Sequence, residues 1–137
     1  MSTRLKLSKE ISAYLDNLSN KLGLRRNIIC RLAIGRSLVE KEGVIEFEHE
    51  DSLGYELNRT TVAGNHDALF RALITQHEGR KLNDFEYFSH YLRNHIERGV
   101  ELLVDEYGKI NSPVEFLVCL VDFDKQEKQH LDLFQKI

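Results

Sequence analysis

The segment "NIICRLAIGRSLVE", residues 27–40, restricts the fold of this chain more than any other. Its spacing predicts a helix over about residues 27–42, ending at Gly43. Ile28, Ile29, Cys30, Leu32, Ala33, Ile34, Leu38 and Val39 cover most of its circumference. A helix apolar on so many sides needs burial on more than one of them. The first 45 residues cannot supply that alone, so the C-terminal half, a second copy of the chain, or both must cover it.

Upstream, "RLKLS" alternates with the period of a half-buried strand, placing Leu5 and Leu7 inward and Arg4 and Lys6 outward. Ser8 then caps a first helix, along which Ile11, Leu15, Leu18 and Leu22 recur at helical spacing up to a stop at Gly23. A strand this short leaves its backbone groups unpaired. The expected partner is the same strand of a second subunit, related by a two-fold axis. Strand, helix, helix is the ribbon-helix-helix arrangement, whose two-stranded ribbon can enter the DNA major groove. The predicted fold is therefore mainly α: a ribbon-helix-helix-like N-terminal unit packed with further helices.

Downstream, the acidic stretch "EFEHEDSLGYE", residues 46–56, reads as a linker or surface loop. A helix is predicted over about residues 66–78, with Leu69, Phe70, Leu73 and Ile74 on one face and Gly79 ending it. Asn83 with Glu86 resembles a capping box and opens the longest helix, about residues 84–107, with Gly99 inside it. Ser112-Pro113-Val114-Glu115 signals another helix start, and "DKQEKQHLDLFQKI" reads as a helical or fraying tail.

The charge is divided along the chain. Residues 1–45 hold nine basic and four acidic side chains, against ten and eighteen in the remainder. Residues 1–45 thus form a basic unit, and residues 46–137 the acidic helical part of the same compact domain, a size fitting 137 residues. A basic head on an acidic body points the head toward a polyanion, although a solvated, balanced surface reads almost as well. No stretch approaches the length of a membrane span, and "MSTRLKLSKE" has no apolar signal core, so the expected compartment is the cytoplasm, with no membrane partner.

Catalytic signals are absent from the sequence. Cys30 and Cys119 sit in apolar runs and read as reduced, buried thiols. His49, His66, His77, His90, His95 and His130 include no pair at the i, i+4 spacing that places two imidazoles on one helix face, so no metal is expected. There is no Walker-type loop. The expectation is a chain without catalytic residues or cofactor.

What remains is binding chemistry. "GLRRN" sets Arg25 and Arg26 at the start of the second helix, where N–H groups and the helix dipole favour an anion and guanidinium groups add paired donors. Arg4 and Lys6 are groove or phosphate contacts, or else ordinary charges that keep an edge strand from sticking. Lys9, Lys21 and Arg31 complete the candidate DNA-binding set, and Arg36 reads as an ion-pair partner. In "LNRTT", Asn58 and Arg59 could contact DNA or a partner; the preferred reading is structural, with Asn58 fixing a turn and Arg59 bridging carboxylates. In "HIERG", Glu97 and Arg98 are adjacent and so point in different directions from a helix.

The stretch "LNRTTVAGNHDALFRALITQHEGRKLNDFEYFSHYLRNHIERGVELL", with "RLKLSKE" and "GLRRNIICRLAIGRSL" before it, resembles the DndE family of DNA sulfur modification proteins over residues 1 to roughly 105. The resemblance implies a small helical protein that self-associates, as a dimer or tetramer. It also implies work beside a cysteine desulfurase, an ATP-dependent sulfurtransferase-like protein and an ATPase, which together replace a non-bridging phosphate oxygen of DNA with sulfur. The member of this type binds duplex DNA, nicked duplex in particular, and does not perform the sulfur chemistry. Two other readings stay open: a ribbon-helix-helix regulator reading an operator, and a protein–protein adaptor whose basic head docks an acidic partner without touching DNA.

Overall fold

The computed structural model describes residues 3–45, 47 and 51–121. Two compact units follow one another in the chain, Met1–Val104 and Asp105–Ile137.

In the first unit, strand β1 (Arg4–Lys6) finds its partner within the same chain. It pairs antiparallel with β2 (Glu56–Asn58), setting Arg4 opposite Asn58, Leu5 opposite Leu57 and Lys6 opposite Glu56. Backbone bonds from Arg59 to Thr3, Leu7 to Tyr55 and Gly54 to Leu7 prolong the ladder at both ends. The expectation that this strand takes its partner from a second subunit is corrected in one respect: a strand of the same chain satisfies the groups on one of its edges. The physical cause is that the stretch read as a linker folds back. Gly54 lies so close to Leu7, Ser8 and Ser12 that a Cβ there would collide with them. Arg93 holds the Asp51 carbonyl at 2.9 Å and the Ser52 hydroxyl at 3.0 Å. The Asp51 carboxylate accepts the N–H groups of Leu53 and Lys9, which together hold its pKa below the usual carboxylate range.

Helix α1 (Lys9–Leu22) follows its sequence signals: the Ser8 hydroxyl accepts from the Ile11 N–H, Ile11, Leu15, Leu18 and Leu22 are buried, and Gly23 closes the helix in the left-handed region at φ 68°. Helix α2 (Arg26–Val39) stops short of the expected end at residue 42. It buries Ile29, Cys30, Ala33, Ile34 and Ser37. The helix α5 (Arg93–Ile110) supplies one of the surfaces that the sequence demanded: its Gly99 packs against the backbone of Ala33 with no space for a Cβ.

Asn58 caps the single-turn helix α3 (Arg59–Val62) by accepting the Thr60 N–H at 2.9 Å. A 3₁₀ turn (Gly64–His66) leads into α4 (Asp67–Glu78). Arg59 is buried and bridges Asp67 at 2.7 Å and Asp84 at 2.8 Å, with its guanidinium 4.9 Å from the centre of the Phe88 ring. The structural reading of "LNRTT" holds. The face expected for α4 does not: of its four apolar residues Ile74 alone is buried, while Leu69 and Leu73 are exposed. Polar contacts fasten both ends of α4, Asp67 to Arg59 and Tyr87, Glu78 to Val44 and His95, so docking does not depend on a full apolar stripe.

The Asn83 side chain accepts the Glu86 N–H at 2.8 Å, while Glu86 turns to Arg80 instead of completing the box. A π-helical segment (Glu86–Leu92) follows and buries Tyr87, Phe88, Tyr91 and Leu92 before α5 begins. On α5, Ile96, Val100 and Leu103 are core residues, and the buried Asn94, His95 and Glu97 each reach a partner from another element. Glu97 and Arg98 do diverge: Glu97 meets Ser8, and Arg98 donates to the Ser37 and Glu42 carbonyls.

The second unit takes the last turns of α5 and helix α6 (Pro113–Val121). Asn111 turns the chain at φ 55°, and the Tyr107 and Phe116 rings meet edge to face at 5.5 Å. The tail "DKQEKQHLDLFQKI" lies outside the described residues. No helix among the described residues is long and apolar enough to cross a membrane.

Candidate nucleic-acid interface

Arg25 is the N-cap residue of α2 (φ −68°, ψ 150°), and its side chain caps none of the N–H groups of the first turn. A guanidinium has no acceptor to offer them. The α2 N-terminus therefore presents donors and the positive end of the helix dipole beside two arginines. It opens on a cleft of about 510 Å³ lined by Ser19, Arg25, Arg26, Asn27, the strand β2 and Thr61 and Val62 of α3.

The walls of this cleft are fixed by hydrogen bonds. Arg31 donates to the Val62 carbonyl at 2.8 Å and the Thr61 carbonyl at 3.1 Å, and the Asn27 amide reaches Thr61 at 3.4 Å. The C-terminal carbonyls of α3 thus find donors on α2. Arg31, expected among the DNA contacts, is half-buried and spends these donors on the framework. Ser19 donates to Leu24 at 2.6 Å, bracing the turn between α1 and α2.

Arg26 is about half exposed. Its Nε donates to Asp16 at 2.8 Å, and its guanidinium lies 4.2 Å from the centre of the Tyr55 ring. Tyr55 in turn donates to the other Asp16 oxygen at 2.6 Å, a bond that raises the phenol above its ordinary pKa. The guanidinium is held flat on an aromatic face with part of its edge in solvent, the geometry in which arginine meets a phosphate through paired donors.

The ribbon adjoins this cleft, because β2 both lines it and pairs with β1. Arg4 and Lys6 are exposed on the outer face, as the alternation predicts, and Leu5 is buried between them. Glu56 shares that face: it stands opposite Lys6 and lies 3.9 Å from Arg4, which lowers the local positive field. Lys21 is exposed in the last turn of α1, near Ser19 in sequence. Lys9 is exposed at the other end of α1, roughly 18 Å away along the axis at 1.5 Å per residue. The fold thus brings Arg25 and Arg26 together, sets Arg4 and Lys6 one strand away, and leaves Lys9 apart. Arg36 pairs with Glu40 at 2.9 Å.

Sequence reasoning missed Asp16, Tyr55, Glu56 and Asn27 as members of this face. A signal existed for two of them: "YELN" alternates apolar and polar residues as β1 does, though over too few positions to stand out. The cleft's residues offer hydrogen-bond donors, two guanidinium cations and the Glu56 carboxylate, and none is a cysteine or histidine. Both described cysteines are free thiols; burial pushes the Cys30 thiol up to about 12. The histidines, read individually as no metal site, include two that the fold brings beside one carboxylate: His77, Glu78 and His95.

Comparison with known proteins agrees with these elements. The family model described as DNA sulphur modification protein DndE matches residues 4–111. The crystal structure of DndE from Escherichia coli B7A, a protein involved in DNA phosphorothioation modification, matches with a TM-score of 0.61 and 22% identity, over 73% of this chain and 96% of that one. At that identity the likeness is one of fold. A search of curated proteins found no significant match. Because the family model spans the strand, the α2 N-terminus and the helices as far as residue 111, the chain belongs to the DndE family of DNA sulphur modification proteins.

Proposed function

We propose that the chain serves DNA phosphorothioation as a non-catalytic subunit that grips the backbone of duplex DNA, nicked duplex included. The observation that carries this reading is the uncapped N-terminus of α2, with Arg25 and Arg26 at the mouth of an open cleft. Such a site attracts phosphate oxygens through its N–H donors and positive charge, contacts that carry no sequence information. Arg4, Lys6 and Lys21 extend the contact along the strand and the end of α1, and Lys9 adds a remote contact. Arg31 supports the cleft from within. Self-association and docking to other phosphorothioation subunits belong to the same reading, with the acidic remainder of the chain free for them.

Pairing of β1 with β2 removes the need for a second subunit's strand, which was the structural ground of the regulator reading. Binding of labelled intact, nicked and operator-like duplexes across a salt series tests the proposal, with the variants Arg25→Glu/Arg26→Glu and Arg4→Glu/Lys6→Glu. Backbone gripping predicts weaker binding for both variants and a salt slope shallower by roughly 0.9 for each phosphate no longer neutralised. Affinity and slope unchanged in the Arg25/Arg26 variant would remove the α2 site. Selectivity for sequence would restore the regulator. No duplex binding near physiological salt would leave the adaptor.

A further inference from the structure

His77 and Glu78 end α4, and His95 lies in the first turn of α5. His95 Nε2 is 3.0 Å from Glu78 Oε1, and His77 Nδ1 is 3.5 Å from the same oxygen. One ligand atom from each of the three lies within 4.8 Å of the others. The His95 ring is fully buried, and the side chains of Glu78 and His77 are 5% and 12% exposed.

The protons can be placed from the outer contacts. His77 Nε2 sits 2.5 Å from the Glu40 carbonyl, which can only accept, so Nε2 carries the hydrogen. In the neutral ring the lone pair is then on His77 Nδ1. It is buried without a hydrogen-bond partner, and the group nearest it in the cluster is a carboxylate. A lone pair and a carboxylate facing each other away from water are costly unless a proton or a metal ion stands between them. His95 Nδ1 lies 2.8 Å from the Ser37 hydroxyl, which also accepts from Arg98 Nε at 2.8 Å. Each imidazole is thus oriented by an oxygen on its far side, the arrangement that aims histidine at a metal.

The spacing also suits a metal. Ligands at 2.0–2.1 Å around a tetrahedral ion stand roughly 3.3 Å apart. The two distances to Glu78 Oε1 straddle that value, and the three ligand atoms all lie within 4.8 Å of one another. Gly43 passes so near Glu78 Oε2 that a Cβ would collide, which encloses the carboxylate.

We propose that His77 Nδ1, the Glu78 carboxylate and His95 Nε2 form a binding site for one divalent transition-metal ion of the zinc class, with water in the remaining position. Two imidazoles and one carboxylate favour zinc or cobalt over magnesium or calcium. The ion clips the end of α4 to α5. Through the Glu40 carbonyl and the Val44 N–H, which donates to Glu78 at 3.1 Å, it also fixes the segment that follows α2.

The test is titration of the metal-stripped, tag-free full chain with Co²⁺, read by visible absorption, and with Zn²⁺, read by calorimetry. The expected result is one saturable equivalent with the d–d bands of low-coordinate cobalt. It should be lost in His77→Gln and Glu78→Gln, checked for folding by circular dichroism, and retained in His66→Gln/His90→Gln. Proton NMR of the wild-type cobalt form identifies the ligands without substitution: two exchangeable, hyperfine-shifted imidazole N–H signals are expected, from His77 Nε2 and His95 Nδ1. Absence of a saturable equivalent, fewer than two such signals, or loss of binding in the His66/His90 variant would overturn the site.

Discussion

The Glu97 carboxylate accepts the backbone N–H of Ser8 at 2.7 Å, joining residues 89 apart in sequence at a buried point. Ser8 is the N-cap of α1 and ends the ribbon, so this bond ties the basic head of the chain to α5. Removing one partner leaves a buried donor unsatisfied, which costs about 1–3 kcal/mol. Glu97→Ala is expected to lose stability in that range by urea denaturation, with Glu97→Gln recovering part of it because the amide oxygen still accepts. Equal losses for both would show that the charge of Glu97 toward Arg93, and not the bond to Ser8, is what matters.

Arg59 makes a similar closure between β2 and the start of the long helix. Arg59 is 7% exposed, and its guanidinium engages the Asp67 and Asp84 carboxylates with paired donors. Breaking a buried pair by removing one partner costs about 3–5 kcal/mol, since the carboxylates are left unbalanced. Arg59→Ala should lose stability on that scale, and Arg59→Lys should recover little, because an ammonium cannot span both acids in one plane. Full recovery by lysine in a thermal melt would contradict the bidentate account.

Gly35 in α2 and Gly99 in α5 predict opposite signs. Gly35 on α2 is exposed with open space where a Cβ would go. Gly35→Ala should stabilise by about 0.5–1 kcal/mol through the helix propensity of alanine. Gly99 meets the Ala33 backbone, which cannot swing aside as a side chain can. Gly99→Ala should destabilise by about 1–3 kcal/mol. Denaturation midpoints moving in the same direction for both would mean that the α2–α5 crossing is not as close as described.

These sites show what local sequence can and cannot carry. The caps at Ser8 and Asn83 and the left-handed stops at Gly23 and Gly79 follow from chemistry within a few residues, and reading them forward succeeds; the bridging role of Arg59 also holds, though its acids lie 8 and 25 residues away. Strand β2 is three residues long and exists because β1 lies against it, some fifty residues away, so its own sequence barely marks it. The α4 face failed because apolar spacing implies burial only when the helix docks along its length. Arg25 and Arg26 were visible at the helix start, whereas Asp16 and Tyr55, which shape Arg26, joined them only through the turn and the ribbon. The His77–Glu78–His95 cluster needed two separate elements to meet, and no spacing rule within one helix could reveal it.

The Cys30 thiol, on the buried face of α2 and shifted up to about 12, should be inert in the folded protein. A thiolate-selective reagent at pH 8 is expected to label half-buried Cys119 first, and Cys30 after unfolding. The sign of the pH effect follows from linkage. Above the ordinary thiol value of 9.0 the unfolded chain loses this proton while the native state keeps it, so the contribution of Cys30 to stability falls as pH rises from 9.0 toward about 12. Cys30→Ala should flatten that limb of the stability profile. Rapid native labelling of Cys30 would show that α2 opens far more readily than its burial implies.

Asp16 offers a gain-of-function test of the α2 site. It draws Arg26 with one oxygen and Tyr55 with the other, so it both positions the guanidinium and offsets its charge. Asp16→Asn keeps an acceptor for Tyr55 and removes the charge, leaving Arg26 stacked on the ring but electrostatically released. If Arg26 contacts a backbone phosphate, duplex affinity should rise severalfold at low salt, and the log–log salt slope should steepen by up to about 0.9, the equivalent of one neutralised phosphate. The double variant Asp16→Asn/Arg26→Ala should fall back to or below the wild-type slope. A steeper slope that survives removal of Arg26 would assign the gain to the general field of the basic head, and an unchanged slope in Asp16→Asn would mean that Arg26 serves the Tyr55 stack alone.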